Sequence, residues 1–165
     1  MHTYESYAGG EGVIKITIAG DGFAHLNIYS QAKTELGRRL SNFSKNDFVH
    51  PEYGWFQSVE GYWYWCSTGK RHEKFRAKWG MDAKQTGRGF SKEKYPEFEQ
   101  DILDAIHLKL AYWPDIHEQL LACKLPLVHY YLFGGTFRPT KGSEFILDEL
   151  DLIRKGKPLK FKKPE

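Results

Sequence analysis

The chain has 165 residues, 41% of them hydrophobic, and a formal net charge of +3. That length suits one compact core without disulfides. Its two cysteines, Cys66 and Cys123, lack CxxC spacing and read as small core residues in a reducing compartment. No run approaches the roughly 18 apolar residues of a membrane span, and the polar, glycine-bearing N-terminus lacks an apolar signal region, so a soluble cytoplasmic protein with no membrane partner is expected.

Residues 1–12 read as a frayed end. In the stretch from Val13 to Ile18, Ile14, Ile16 and Ile18 share one strand face. Gly20-Asp21-Gly22 signals a turn and Leu26 to Tyr29 alternates again, which predicts an N-terminal hairpin between those runs. Residues 36–57 carry no sustained period and read as irregular structure or short strands, a length at which loops are often functional. Ser58 is suited to cap a helix. Val59, Tyr62, Trp63 and Cys66 then fall at i, i+3, i+4 and i+7 as one buried stripe. Residues 71–79 look helical and stop at Gly80, and a short helix from Asp82 ends at Gly87. A stronger helix begins at Pro96, with Phe98, Ile102, Ile106 and Leu110 as its apolar stripe and acidic residues crowding its start. Pro114 restarts a helix through Leu120 and Leu121. Residues 125–137 read as strand and turn, and a last helix runs from about Ser143 to Arg154 with Ile146, Leu150 and Ile153 inward.

Helices that cluster and strands that are few give an α+β fold, mainly helical, one domain with a small sheet and hairpins. Residues 1–25 read as an N-terminal extension with a hairpin strand, 26–154 as the main domain and 155–165 as a basic tail.

Charge is unevenly spread. Residues 70–94 hold nine Lys/Arg against three Asp/Glu, and residues 154–165 hold six against one. Such density attracts phosphate-bearing partners; a solvated face and a soluble tail are the plain alternatives. Aromatic residues reach 16%, and Trp55, Tyr62, Trp63, Tyr64 and Trp65 fall close together. They are core fillers by default and can also stack on bases.

Glu60 is the most informative polar residue. At the second helical position after Ser58 it points between Trp63 and Tyr64. The helix dipole favours its charged form and apolar surroundings favour the neutral one. A carboxylate so placed can take a proton from water or stabilise an oxocarbenium-like centre; it can also simply stabilise a first helical turn. Asn42 can read a ligand edge or form an Asx-turn, and Phe43 can stack on a base or fill the core. Lys84 and Arg88, around a helix end, can clamp a diphosphate or satisfy terminal carbonyls. No phosphate-binding loop, dinucleotide fingerprint, HExxH spacing or GxSxG elbow occurs, so a metal- or serine-dependent hydrolase is not expected. His129 reads as a satisfied core histidine.

The succession Leu40-Ser41-Asn42-Phe43, then Gln57-Ser58-Val59-Glu60-Gly61-Tyr62, then Ala83-Lys84-Gln85-Thr86-Gly87-Arg88 resembles the NADAR (YbiA-like) pattern in order and spacing. The approach from Ile28 to Arg38 and the late His129-Tyr130-Tyr131 are similar to a phage-encoded branch. The resemblance covers roughly residues 26–154. It implies the NADAR fold and a metal-independent N-glycosidase without cofactor, acting on ADP-ribose or ADP-ribosylated DNA. Its branch would remove ADP-ribose from guanine bases, countering a toxin or host defence that modifies DNA. It places the essential acid on Glu60 and puts Asn42, Phe43, Lys84 and Arg88 at the ligand. Trp63 would help hold the bases, Arg38 the pyrophosphate, and Tyr131 would join the pocket. Lys33 would serve as a nucleophile through a Schiff base with a ribose aldehyde. Tyr95 stands where many members have a functional Trp, and the late Asp-x-x-Trp-Gly-x-Gly stretch reads Tyr130-Tyr131-Leu132-Phe133-Gly134-Gly135, without the Asp. These departures favour a branch-specific substrate over a riboflavin precursor. The alternatives are an enzyme acting on a free nucleotide and a non-catalytic module that binds ADP-ribose.

Overall fold

A computed structural model describes residues 1–165. In chain order the elements are β1 (Tyr4–Ala8), β2 (Gly12–Ile16), β3 (Leu26–Asn27), α1 (Glu35–Leu40), β4 (Phe48–His50), β5 (Gly54–Phe56), α2 (Val59–Ser67), α3 (Gly80–Arg88), α4 (Phe98–Tyr112), α5 (Pro114–Ala122), β6 (Leu127–Val128), β7 (Tyr130–Phe133), β8 (Thr136–Pro139) and α6 (Glu144–Arg154). Single 3-10 turns cover Ile18–Gly20 and Glu73–Ala77. The chain is α+β: six helices, a mixed four-stranded sheet and two hairpins. It divides into two compact units, residues 1–41 with 118–158 and residues 42–117 with 159–165.

The first unit carries the sheet, in the order β2-β1-β6-β3. β1 runs antiparallel to β2, from Tyr4 opposite Ile16 to Ala8 opposite Gly12. The N-terminal hairpin therefore joins residues 4–8 to 12–16, not 13–18 to 26–29, and residues 4–8 are a strand, not a frayed end. Small residues explain the difference: Ser6 and Ala8 face inward and are buried, so the inner face of β1 shows no large apolar signature. β3 instead pairs in parallel with β6. Asn27 completes that edge with its side chain. Its Nδ2 donates to the Tyr130 carbonyl at 3.1 Å and its Oδ1 accepts from the Tyr130 amide at 3.0 Å. Ala8, Ile16, Val128 and Tyr130 form a core cluster, with Tyr4, Ile14, Leu132 and Phe137 packed against it. Gly134 and Gly135, at φ 56 and 80, supply the two left-handed positions of the β7–β8 turn. The predicted last helix is α6, with Ile146, Leu150 and Ile153 buried.

In the second unit α2 packs against α3, α4 and the Glu73–Ala77 turn. Because α2 has neighbours on several sides, its buried face is wide. Trp65 joins Val59, Tyr62 and Cys66 inside, whereas Trp63, expected in that stripe, lies half-buried on its flank. α4 buries Ile102, Ile106 and Leu110 as predicted, and α5 begins at Pro114. Gly80 does not end a helix; it opens α3, and the preceding segment is only a 3-10 turn. The basic C-terminus is not a loose tail. Lys160 bonds the His107 ring through its amide at 3.0 Å and pairs with Asp104 at 2.8 Å, while Phe161 lies 6.4 Å from the His50 ring.

Candidate functional site

The second unit draws three of the sequence motifs together at the starts of two helices. Ser58 caps α2, its Oγ accepting from the Gly61 amide at 3.0 Å and donating to the Lys78 carbonyl at 2.8 Å. Gly61 allows that junction to close: a Cβ there would sit 2.5 Å from the Phe75 carbonyl oxygen and 2.8 Å from that of Lys78. The Glu60 amide donates to the Asn42 carbonyl at 2.9 Å, and the Gly80 amide donates to the Phe43 carbonyl at 3.1 Å. One dipeptide, Asn42-Phe43, thus ties down the first turn of α2 and the first residue of α3.

Those bonds use only the main chain of Asn42 and Phe43. The Asn42 side-chain amide makes no hydrogen bond within the protein and is half-buried, so the Asx-turn reading has no support in the geometry. The Phe43 ring carries the Lys84 ammonium 5.9 Å from its centroid. Lys84 also acts on Glu60. Burial raises the Glu60 carboxyl to about 7, and Lys84 partly opposes that rise. A carboxyl in this state is shared between acid and base near neutral pH, which suits general acid–base work.

The cations of residues 70–94 divide into two groups. Arg71 pairs with Glu93, Arg76 with Glu73 and Lys78 with Asp82, so the three acids of the segment are taken up locally. Lys92 satisfies the end of α3, donating to the Gly87 and Phe90 carbonyls. Arg88, in the last turn, is exposed. Gly87 is not the C-cap; Gly89 is. Gly87 lies under the Tyr64 ring, where a Cβ would be 2.2 Å from Tyr64 Cδ1.

Trp63 and Tyr95 both meet Phe98 edge to face, at 4.9 and 5.8 Å. The Tyr95 hydroxyl donates to Asp101 at 2.7 Å, and Lys70 pairs with the same carboxylate at 2.9 Å. Tyr95 lines a cavity of about 290 Å³ with Cys66, Gly69, Lys70, Glu93 and Lys94; Glu60 is not among its lining residues. Burial pushes the Cys66 thiol up to about 11, which keeps it inert at neutral pH.

Lys33, Arg38 and Tyr131 belong to the first unit. Lys33 is exposed, with its amide held by Asp21 at 3.0 Å. Arg38 spans the same loop, donating to the Ala32 carbonyl at 2.8 Å and the Lys33 carbonyl at 3.1 Å. Tyr131 packs among Tyr29, His129 and Phe133. His129 is satisfied by the Ile28 carbonyl at 2.6 Å. No three His, Cys, Asp or Glu side chains are grouped as a metal site would need, and no helix is long and apolar enough to cross a membrane.

No family model, curated protein or solved structure matches the chain. The NADAR resemblance therefore rests on the ordered motifs alone.

Two residues flanking the Gly80–Phe43 hydrogen bond, Trp79 and Lys45, escaped the sequence. Trp79 is exposed and carries Lys45 over its ring at 5.8 Å. The readable signal was an aromatic residue set among cations on a loop, a pattern diluted here by many core aromatics.

Proposed function

We propose that this chain is a NADAR-type N-glycosidase that removes ADP-ribose from guanine bases in DNA and so counters a DNA-modifying toxin or defence system in the cytoplasm. The observation that carries the reading is Glu60: a carboxyl raised to about 7 in a first helical turn, bonded through its amide to Asn42 and opposed by Lys84. The ordered motifs supply the substrate class.

In this reading water attacks C1″ of the ribose. The C1″–N bond breaks, the base nitrogen leaves with a proton, and a hydroxyl remains on C1″. Glu60 takes the proton from water or assists opening of the ribose ring. Phe43 holds a base, Asn42 reads its edge, and Lys84 and Arg88 hold the pyrophosphate.

The test is release of ADP-ribose from an oligonucleotide carrying ADP-ribosylated guanine, with wild type beside Glu60→Gln. Release by wild type and a loss of about a hundredfold or more in the variant supports the proposal. No release by folded wild type overturns it. Turnover of free nucleotides as fast as modified DNA would shift the substrate to a small molecule.

A further inference from the structure

We propose that Trp79 and Lys45 form a stacking platform that holds an unpaired base of a single DNA strand beside the Asn42-Phe43 site. The proposal rests on the DNA reading above and names how the strand is held.

Trp79 is 47% exposed, and Met81 beside it is 49% exposed. A large ring left half in water forgoes much of the stabilisation its burial would give. Other exposed aromatics lack what Trp79 has. Phe23 and Phe133 are more exposed but carry no cation over their rings. Trp55 is held through its indole nitrogen by Asp47 at 2.8 Å, which places a carboxylate at its edge. Trp79 alone combines an open ring with a lysine over its face, Lys45 at 5.8 Å.

Its position follows from the backbone. Gly80, the next residue, donates to the Phe43 carbonyl at 3.1 Å. Lys45 is two residues beyond Phe43. The segment 43–45 and the segment 79–84 therefore form two ring–lysine pairs joined by one hydrogen bond: Phe43 with Lys84 and Trp79 with Lys45. Rings that offer a face and cations that offer a charge match the two parts of a nucleotide, base and phosphate. Stacking on Trp accepts any base, so the platform would hold flanking sequence without reading it. A strand must be unpaired to present a base face, which also leaves the modified guanine accessible.

The experiment measures binding of a fluorescently labelled, unmodified single-stranded oligonucleotide by anisotropy at low salt. Trp79→Ala should weaken binding about five- to hundredfold, as loss of one base–aromatic stack does, and Trp79→Phe should retain most of it. Lys45→Ala should weaken binding and flatten its salt dependence by about 0.7 in log–log slope. Phe23→Ala, on an exposed ring without a lysine, should bind like wild type. The matching duplex should bind more weakly than the single strand. Wild-type affinity in Trp79→Ala, absence of wild-type binding to the strand, or stronger binding to duplex overturns the platform. Because the oligonucleotide is unmodified, this result is independent of ADP-ribose release. Release by a wild type whose strand binding ignores Trp79 sinks the platform and leaves the glycosidase standing.

Discussion

The amide of Glu60 donates to the main-chain carbonyl of Asn42 at 2.9 Å, so two motifs separated by 17 residues share a hydrogen bond. The bond fixes where the Glu60 carboxyl starts and uses nothing of the Asn42 side chain. Asn42→Ala should therefore keep the fold, with a urea midpoint shifted by no more than about 0.5 kcal/mol equivalent. Affinity for ADP-ribose should fall about tenfold, the loss of one ligand hydrogen bond. Calorimetry checks both ends: unchanged affinity would mean that the Asn42 side chain reads nothing.

The environment of Glu60 carries a stability penalty that depends on pH. Its folded carboxyl sits at about 7, raised from 4.5 by burial against the pull of Lys84. Between those values the folded chain binds more protons than the unfolded chain. Stability therefore falls as pH rises through that window, and the penalty is complete above about 7. Its size is on the order of 3 kcal/mol. Gln stays neutral throughout. Glu60→Gln should be more stable than wild type near pH 8 and nearly equal to it near pH 4. Urea unfolding at both pH values gives the answer, and a difference that does not change with pH would show that the Glu60 carboxyl is not raised.

Gly87 gives a test in which the sign reverses. In wild type a Cβ at this position would meet Tyr64 Cδ1 at 2.2 Å and Cε1 at 2.4 Å. Lys92 lies over the same ring at 5.6 Å, restricting its retreat. Gly87→Ala should destabilise by about 1–3 kcal/mol, as overpacking does. In a Tyr64→Ala background the clash is gone and only helix propensity remains, which favours Ala over Gly by about 1 kcal/mol. A double-mutant cycle by urea unfolding measures this coupling. The same destabilisation in both backgrounds would mean that Tyr64 does not set the need for glycine.

What the sequence disclosed and what it hid divide along local and non-local physics. The apolar stripe of α4, the proline opening α5 and the Ser58 cap of α2 are local patterns, and each appears where the periodicity placed it. The pairing of β1 and β3 with β6 is not local. β6, which both strands join, lies more than a hundred residues downstream, and no turn signal announces it. Gly80 reads as a helix stop by composition, yet its φ of 58 and its bond to the Phe43 carbonyl make it a helix start. The site divides in the same way. Glu60 in a first turn was legible from Ser58; its approach to Asn42 is a tertiary hydrogen bond, and the ring–lysine pair of Trp79 and Lys45 brings together residues 34 apart.

Lys84 tests whether Glu60 governs the rate. It draws the Glu60 carboxyl downward from where burial alone would leave it. Lys84→Met removes that pull and keeps the length of the side chain, so Glu60 should rise above about 7. If Glu60 acts as a base, the acid limb of the kcat profile moves to higher pH, since the carboxylate then forms later. If it acts as an acid, the alkaline limb moves the same way, since the proton is held longer. KM should rise as well, because the proposed function also assigns Lys84 to the pyrophosphate. The direction of the pH shift separates the two effects: a charge lost only from the ligand raises KM and leaves the kcat profile where it was, and that outcome would detach Lys84 from Glu60.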